Sequence, residues 1–362
     1  MPDNPFSSFG DRRKKRIDDL AATAGHDDGD PARETVPASA GTTASGGSGT
    51  SGSSGGQPTG PTVSGAGQIA GGAGQSLFAS AWERLRRNPV FLVGAGITLI
   101  FFLLAIFSPL IAPHDPTAGL LLDKVRQQTN PIPGPEPGFP LGADSVGRDL
   151  LSRLIVGSRQ TLIVGVFATV GGLVGGITLG TLAGALGGWV DSFVMRAVDV
   201  MLSIPSLLLA VSIAALAPKP SQVTVIIAIA VVQVPIFARL LRGSLLAQRS
   251  SDHVLAARAL GVRPSAIIFR HMLPNSLGPV IVQATLVLAT SIIDAAALSF
   301  LGLGNPDDRQ PEWGAMLGQA QQYISDYPAL AIWPAACIIV VALGFTLMGE
   351  SLREALDPKS RR

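Results

Sequence analysis

Asp144, Arg148, Asp149 and Arg153 stand close together in one short stretch and alternate in sign. Such a set can pair internally and fix a cap, or it can meet a charged partner; internal pairing is the expectation. A second candidate is Asp294, an acid inside an otherwise apolar run, where an ionisable group must face protein or water. Gln233 and Gln283, also in apolar runs, are candidates for the same path. A third group is Asp191, Arg196 and Asp199. Arg196 and Asp199 are three apart, hence neighbours on a helix, and an interfacial ion pair is expected between them. Nothing resembles a nucleophile–base–acid arrangement, and the four histidines are scattered. No Gly-x-x-x-x-Gly-Lys-Ser/Thr segment occurs, so the phosphate cradle for ATP is missing. The expectation is a chain that catalyses nothing alone and holds no metal or cofactor.

The elements that must position these side chains are set by hydropathy. The 362 residues are 47% hydrophobic and only 14% charged, where soluble domains carry about 25% charged residues. A net charge of +2 implies no nucleic-acid partner. The single cysteine, Cys337, excludes an internal disulfide and reads as a small packing residue. Apolar runs long enough for a bilayer core of about 30 Å lie at Val90–Ala112 and at about Thr161–Gly187, Val194–Ala217, Val223–Leu241, Gly278–Leu301 and Ala329–Gly349. Helices are expected for all six, because open strands leave backbone groups unpaired in lipid. The fold class is therefore an all-α integral membrane protein with six transmembrane helices.

Ahead of the first span, residues 1–80 read as a disordered cytoplasmic extension. Their Gly, Ser, Thr, Ala and Pro content offers too little apolar surface to offset chain entropy. The basic cluster Arg12, Arg13, Lys14, Lys15 and Arg16 lacks an adjoining apolar core, so no cleavable signal is expected. Residues 81–112 form a module with the first span, 113–159 an outer loop, 160–350 a membrane core, and 351–362 a tail. Arg242, Arg249, Arg258, Arg263 and Arg270 face one acid, Asp252, in the loop before the fifth span. The loop after that span holds Asp307, Asp308, Glu312 and Asp326 against Arg309. The basic loop is assigned to the cytoplasm, with both termini.

Gly172, Gly176, Gly180, Gly184 and Gly188 recur every four residues along the second span, which predicts a bare stripe for close helix approach. The basic loop at 251–275 predicts helix, glycine break, helix. Ser251 or Asp252 can cap the first, Gly261 suits a C-terminus needing positive φ, Pro264 suits a first turn, and Pro274 limits the second helix. Leu255, Ala256, Ala257, Ala259 and Leu260 can enter a partner's groove flanked by the charges of Arg258 and Arg263 or pack on the chain's own helices, two outcomes left level by the residues themselves. Gly142 and Gly147 read as turn glycines.

Ala256-Ala257, then Gly261, then His271-Met272-Leu273-Pro274 resembles the coupling loop of ATP-binding-cassette importer permeases, with Leu255 at that motif's usual glutamate. The stretch Pro140–Arg153 is similar to a signature of the dipeptide/oligopeptide/nickel permeases of C-subunit type, with Phe139 and Ala143 replacing its histidine and threonine. Leu298–Gly304, Trp313–Leu317 and Gly349–Pro358 resemble further segments of that family. The resemblance implies a type I importer permease of a bacterial inner membrane. It also implies a homologous second permease subunit, two ATPase subunits that hold ATP and Mg, and an extracytoplasmic binding protein. Peptides are the implied cargo, with nickel, glutathione or haem as alternatives, and Asp294 could meet a peptide amino group.

Overall fold

The computed structural model describes residues 82–126 and 129–356. The expected N-terminal extension and the basic residues Lys359, Arg361 and Arg362 lie outside them. Helix α1 spans Pro89–Ile111, α2 Leu150–Leu186, α3 Gly188–Ser203, α4 Ser206–Ala215 and α5 Gln222–Gln248. A short α6 covers Asp252–Ala259, α7 runs Pro264–Phe300, α8 is Trp313–Ala320 and α9 is Ala329–Leu356. Helices α1, α2, α5, α7 and α9 are each long and apolar enough to cross a membrane, and α3 with α4 forms a bent pair that qualifies together.

The expected span at Val194–Ala217 falls on this bent pair, which makes the sixth span when its halves are taken together. Its two halves meet at 96°. Ile204 is extended, at φ −93° and ψ 133°, because the residue before a proline is pushed out of the helical region and Pro205 has no amide to donate. The unbroken hydrophobicity on either side hides this break from a span search.

Two other expected boundaries shift. Helix α2 starts at Leu150, not near Thr161, and with 37 residues it is about 55 Å long at 1.5 Å per residue. Arg153 and Ser158 looked like loop in the sequence, yet both are buried in the first turns. Asp149 caps this helix, its Oδ2 accepting from the Ser152 amide at 3.1 Å. Pro274, expected to stop a helix, does not. A π-helical segment at Ile267–Met272 lets the Leu273 amide reach back to Ile268 O, and the helix continues through the proline.

Three buried clusters hold the bundle. Phe101, Leu154, Ile292, Trp313 and Phe345 join α1, α2, α7, α8 and α9. Val164, Ala210, Ile229 and Leu298 join α2, α4, α5 and α7. Phe237, Leu241, Val254, Ala257 and Met272 tie α6 to α5 and α7. The most extensive helix contact is α2 with α5, and the glycine stripe makes it. A Cβ on Gly172 would stand 2.7 Å from Gln233 Cβ, and one on Gly180 2.7 Å from Ala238 O. Gly176 and Gly184 face Phe237 and Leu245 of the same helix. Gly188 does not belong to the stripe. It follows Gly187 in a turn where both have positive φ, 66° and 55°, so the chain has already left α2.

Candidate functional site: the loop at 251–275 and the polar outer end

Helix α6 ends in a two-bond cap. The Val262 amide donates to Ala257 O at 3.1 Å and the Gly261 amide to Arg258 O at 3.0 Å, with Gly261 at φ 74°. This is a Schellman arrangement, and its apolar contact joins Val262 to the cluster that holds Ala257. Pro264 opens the next helix at its first position. Ser251 occupies the N-cap position but makes no capping bond; its hydroxyl donates instead to Gln248 O at 2.6 Å.

The short helix has two faces. Val254 and Ala257 are buried against the bundle. Leu255 is 49% and Leu260 83% exposed, and Ala256 and Arg258 share their exposure. Packing on the chain's own helices and presentation outward thus belong to opposite sides of one helix. The His271 carbonyl accepts from the Asn275 side-chain amide at 2.8 Å, and that amide lies 3.3 Å from His253 Nε2, which ties α6 to α7. Arg249 donates to Gly184 O at 2.7 Å and Ala185 O at 3.3 Å, meeting the last carbonyls of α2 with positive charge.

At the other end of the bundle three of the four alternating charges, Asp144, Arg148 and Arg153, converge, while Asp149 turns to Ser152 and His114. Arg148 Nε donates to Asp144 Oδ2 at 2.7 Å, and Arg153 Nε lies 3.4 Å from the same oxygen. Both guanidiniums also donate to Asp308 O, at 3.0 and 3.2 Å, which pins the loop after α7 onto the start of α2. Arg153 is 1% exposed, and buried arginine is tolerated only with such partners. Asp149 is also buried and accepts from the Ser152 hydroxyl at 2.5 Å and faces His114 Nδ1 at 3.2 Å. The His114 ring stacks on Phe139 at 4.5 Å. Gly147 and Gly142 adopt φ of 74° and 76°, and a Cβ on Gly142 would sit 2.5 Å from Pro133 O.

Sequence reasoning missed Glu312, which it counted only among the acids of the loop after the fifth span. Glu312 is 6% exposed and accepts from Ser299 Oγ at 2.9 Å. Burial pushes its carboxyl up to about 7. The neighbouring Trp313, whose indole donates to Leu154 O at 2.9 Å, was the available signal that this segment turns inward. A carboxyl raised on folding contributes stability below the ordinary carboxylate range and loses it as pH rises through about 7. The thermal midpoint of the purified complex is therefore expected to fall from about pH 5 to about pH 8, and Glu312→Gln is expected to flatten that fall. An unchanged slope in the variant contradicts the assignment.

Helix α3 is tied to α5 by ion pairs that differ from the expected one. Asp199 pairs with Arg239 at 2.5 Å, not with Arg196, which is exposed. Arg242 donates to both carboxylate oxygens of Asp191, through Nε to Oδ1 and through Nη2 to Oδ2, the Nη2–Oδ2 contact being 2.6 Å. Packing across helices offered these acids partners that local spacing could not show.

The three side chains expected on one path stand in different settings. Gln233 is 2% exposed, pressed against Gly172, and its Oε1 has no partner among the described residues. Asp294 is half-buried in α7, and no hydrogen bond or ion pair joins its carboxyl group to another described residue. Gln283 lines an open hollow of about 680 Å³, together with Leu202, Ile236, Arg239 and Ser244.

Residues 176–362 match the family model described as binding-protein-dependent transport system inner membrane component. Residues 76–131 match the N-terminal TM domain of oligopeptide transport permease C. The chain is 43% identical over 289 residues to the dipeptide transport system permease protein DppC of Alkalihalophilus pseudofirmus, covering 79% of this chain and 91% of that one. It is 42% identical over 278 residues to the glutathione transport system permease protein GsiD of Salmonella typhimurium, covering 77% and 89%. A chain of the methionine ABC transporter MetNI in an inward-facing conformation aligns at 20% identity and a TM-score of 0.48, covering 57% of this chain and 98% of that one. The chain belongs to the binding-protein-dependent transport system inner membrane components.

Proposed function

We propose that this chain is one permease subunit of an ATP-driven importer for dipeptides or oligopeptides. The observation that carries the proposal is α6, anchored on one face by Val254 and Ala257 and presenting Leu255 and Leu260 on the other. An apolar helix face offered beyond the membrane core fits a groove in a partner. The partner is an ATPase subunit, and two of them drive two permease subunits by a rigid-body change passed through α6. The capped Gly261 turn and the buried anchor make α6 stiff enough to transmit that motion.

The remaining assignments follow from this one. The loop at 251–275 and both termini face the cytoplasm, and the outer end around Asp144 and Arg153 meets an extracytoplasmic binding protein. Peptide cargo is supported by the similarity to the dipeptide permease; the similarity to a glutathione permease concerns a tripeptide-like solute of the same chemical kind. Asp294, whose carboxyl group has no partner among the described residues, faces either the passing solute or the second permease.

The test is uptake by the complex rebuilt in liposomes from this chain, its partner permease, the ATPases and the binding protein. Dialanine should accumulate with ATP and not with ADP, and Asp294→Asn should lower the rate without lowering assembly. ATP-independent accumulation overturns the ATP-driven assignment, and a wild-type rate for Asp294→Asn removes that residue from the path.

A further inference from the structure

We infer that the Asp199–Arg239 pair receives the two charged ends of a zwitterionic peptide during its passage, Arg239 taking the carboxylate and Asp199 the ammonium group. The inference rests on the peptide-importer assignment and adds the residues that recognise the cargo inside the membrane domain.

Two ion pairs join α3 to α5, and they differ in kind. Asp191 and Arg242 engage through two contacts, with side chains 19% and 31% exposed. A two-point, partly sheltered pair of this sort fixes geometry. Asp199 and Arg239 meet through one contact, with side chains 62% and 55% exposed. An exposed single-point pair contributes little to stability and opens at little cost. The first pair therefore suits a fixed joint between the helices, and the second an exchangeable contact.

The exchangeable pair stands where a solute can reach it. Arg239 lines the hollow of about 680 Å³, and so does Leu202, three residues beyond Asp199 on the same helix. Asp199 and Leu202 are thus neighbours along α3. The volume lies within the range of pockets that enclose small organic ligands, roughly 300–1,000 Å³. The walls are mostly apolar, from Leu202, Ile236 and Leu240, with the Gln283 amide and Ser244 hydroxyl as uncharged polar groups. Apolar walls tolerate varied side chains, Gln283 and Ser244 can bond a peptide group, and one cation beside one anion complements a zwitterion. Exchange replaces one ion pair by two, each end of the peptide satisfying the side chain that its partner released, so no charge is left unpaired.

The test uses the complete reconstituted complex and two labelled probes, dialanine and dialanine amide, which lacks the carboxylate. Rates are normalised to the amount of each probe carried by the binding protein. The wild type should move dialanine faster than the amide. In Arg239→Gln the dialanine rate should fall by tenfold or more while the amide rate changes little, so the preference disappears. The double variant Asp199→Asn with Arg239→Gln leaves neither charge unpaired, and it should show the same loss of preference even if the single variant assembles poorly. Asp191→Asn should lower both probes alike. The inference is overturned if the double variant keeps the wild-type preference, or if Arg239→Gln slows both probes equally, which marks a purely structural pair. A wild type that transports neither probe overturns the peptide assignment itself, a result distinct from either of these.

Discussion

Gly176→Leu is expected to leave almost no folded chain in the membrane. The Cβ that the substitution adds falls on Phe237 Cβ, with Ala238 N and Val234 O each 3.0 Å away. Phe237 and Ala238 are fully buried, and two of these three contacts are backbone atoms, so no side-chain rotation relieves the overlap. Overpacking in a core costs about 1–3 kcal/mol where neighbours can shift; here the whole α2–α5 contact must separate. That contact is the largest in the bundle, and close backbone approach is what holds helices together in lipid, where hydrophobic burial gives no advantage. Gly96→Ala supplies the control, since nothing lies within 4 Å of a Cβ there. It should match the wild type or exceed it, because alanine is favoured in a helix by roughly 0.5–1 kcal/mol over glycine. The amount of monodisperse complex in size-exclusion chromatography, with its thermal midpoint, checks both. A Gly176→Leu protein that elutes and melts like the wild type contradicts the packing account.

Gly261 carries the second large effect, and it acts through conformation rather than contact. No atom lies within 4 Å of a Cβ at this position, so space is available for any residue. The obstacle is φ 74°, a left-handed geometry that costs an L-residue about 1–2 kcal/mol and costs asparagine less. Relieving the strain breaks the Val262–Ala257 and Gly261–Arg258 bonds and frees the end of α6 that bears Leu260. Uptake should therefore fall in the order Gly, Asn, Ala, Val, with valine lower by about tenfold or more, as about 1.4 kcal/mol implies. Assembly should persist, because Val254 and Ala257 still anchor the helix. Equal uptake across the series, measured in the reconstituted complex, contradicts a coupling role for this turn.

Much of this architecture was legible in residue order. The glycine spacing from Gly172 to Gly184 identified the helix that another backbone approaches, because a four-residue period maps directly onto one helix face. Gly261 and Pro264 fixed both ends of the break in the loop, since each residue type has one favoured place at a helix end. Other features depended on partners distant in sequence. Arg153 looked like a loop residue because its oxygens come from Pro116 and Asp308. Asp199 seemed destined for Arg196, three residues away, until the α3–α5 packing brought Arg239 closer. The bend at Ile204–Pro205 was concealed because hydropathy does not report backbone angle, although the proline itself was a readable warning. Glu312 was misplaced because burial is a property of the folded bundle and not of a local acidic stretch. Of the candidate path residues, Gln233 shows the same limit: an amide in an apolar run does not by itself show that its Cβ packs against Gly172.

The central claim is that α6 seats in a separate ATPase subunit. Its most direct measurement places a photoreactive benzoylphenylalanine at Leu260, 83% exposed and at the capped end of the helix, in the assembled complex in native membranes. Illumination should join this chain to the ATPase subunit in high yield, and the yield should fall when Gly261→Val loosens the turn. A product containing only this chain or lipid, with the ATPase untouched although present in the complex, would contradict the account.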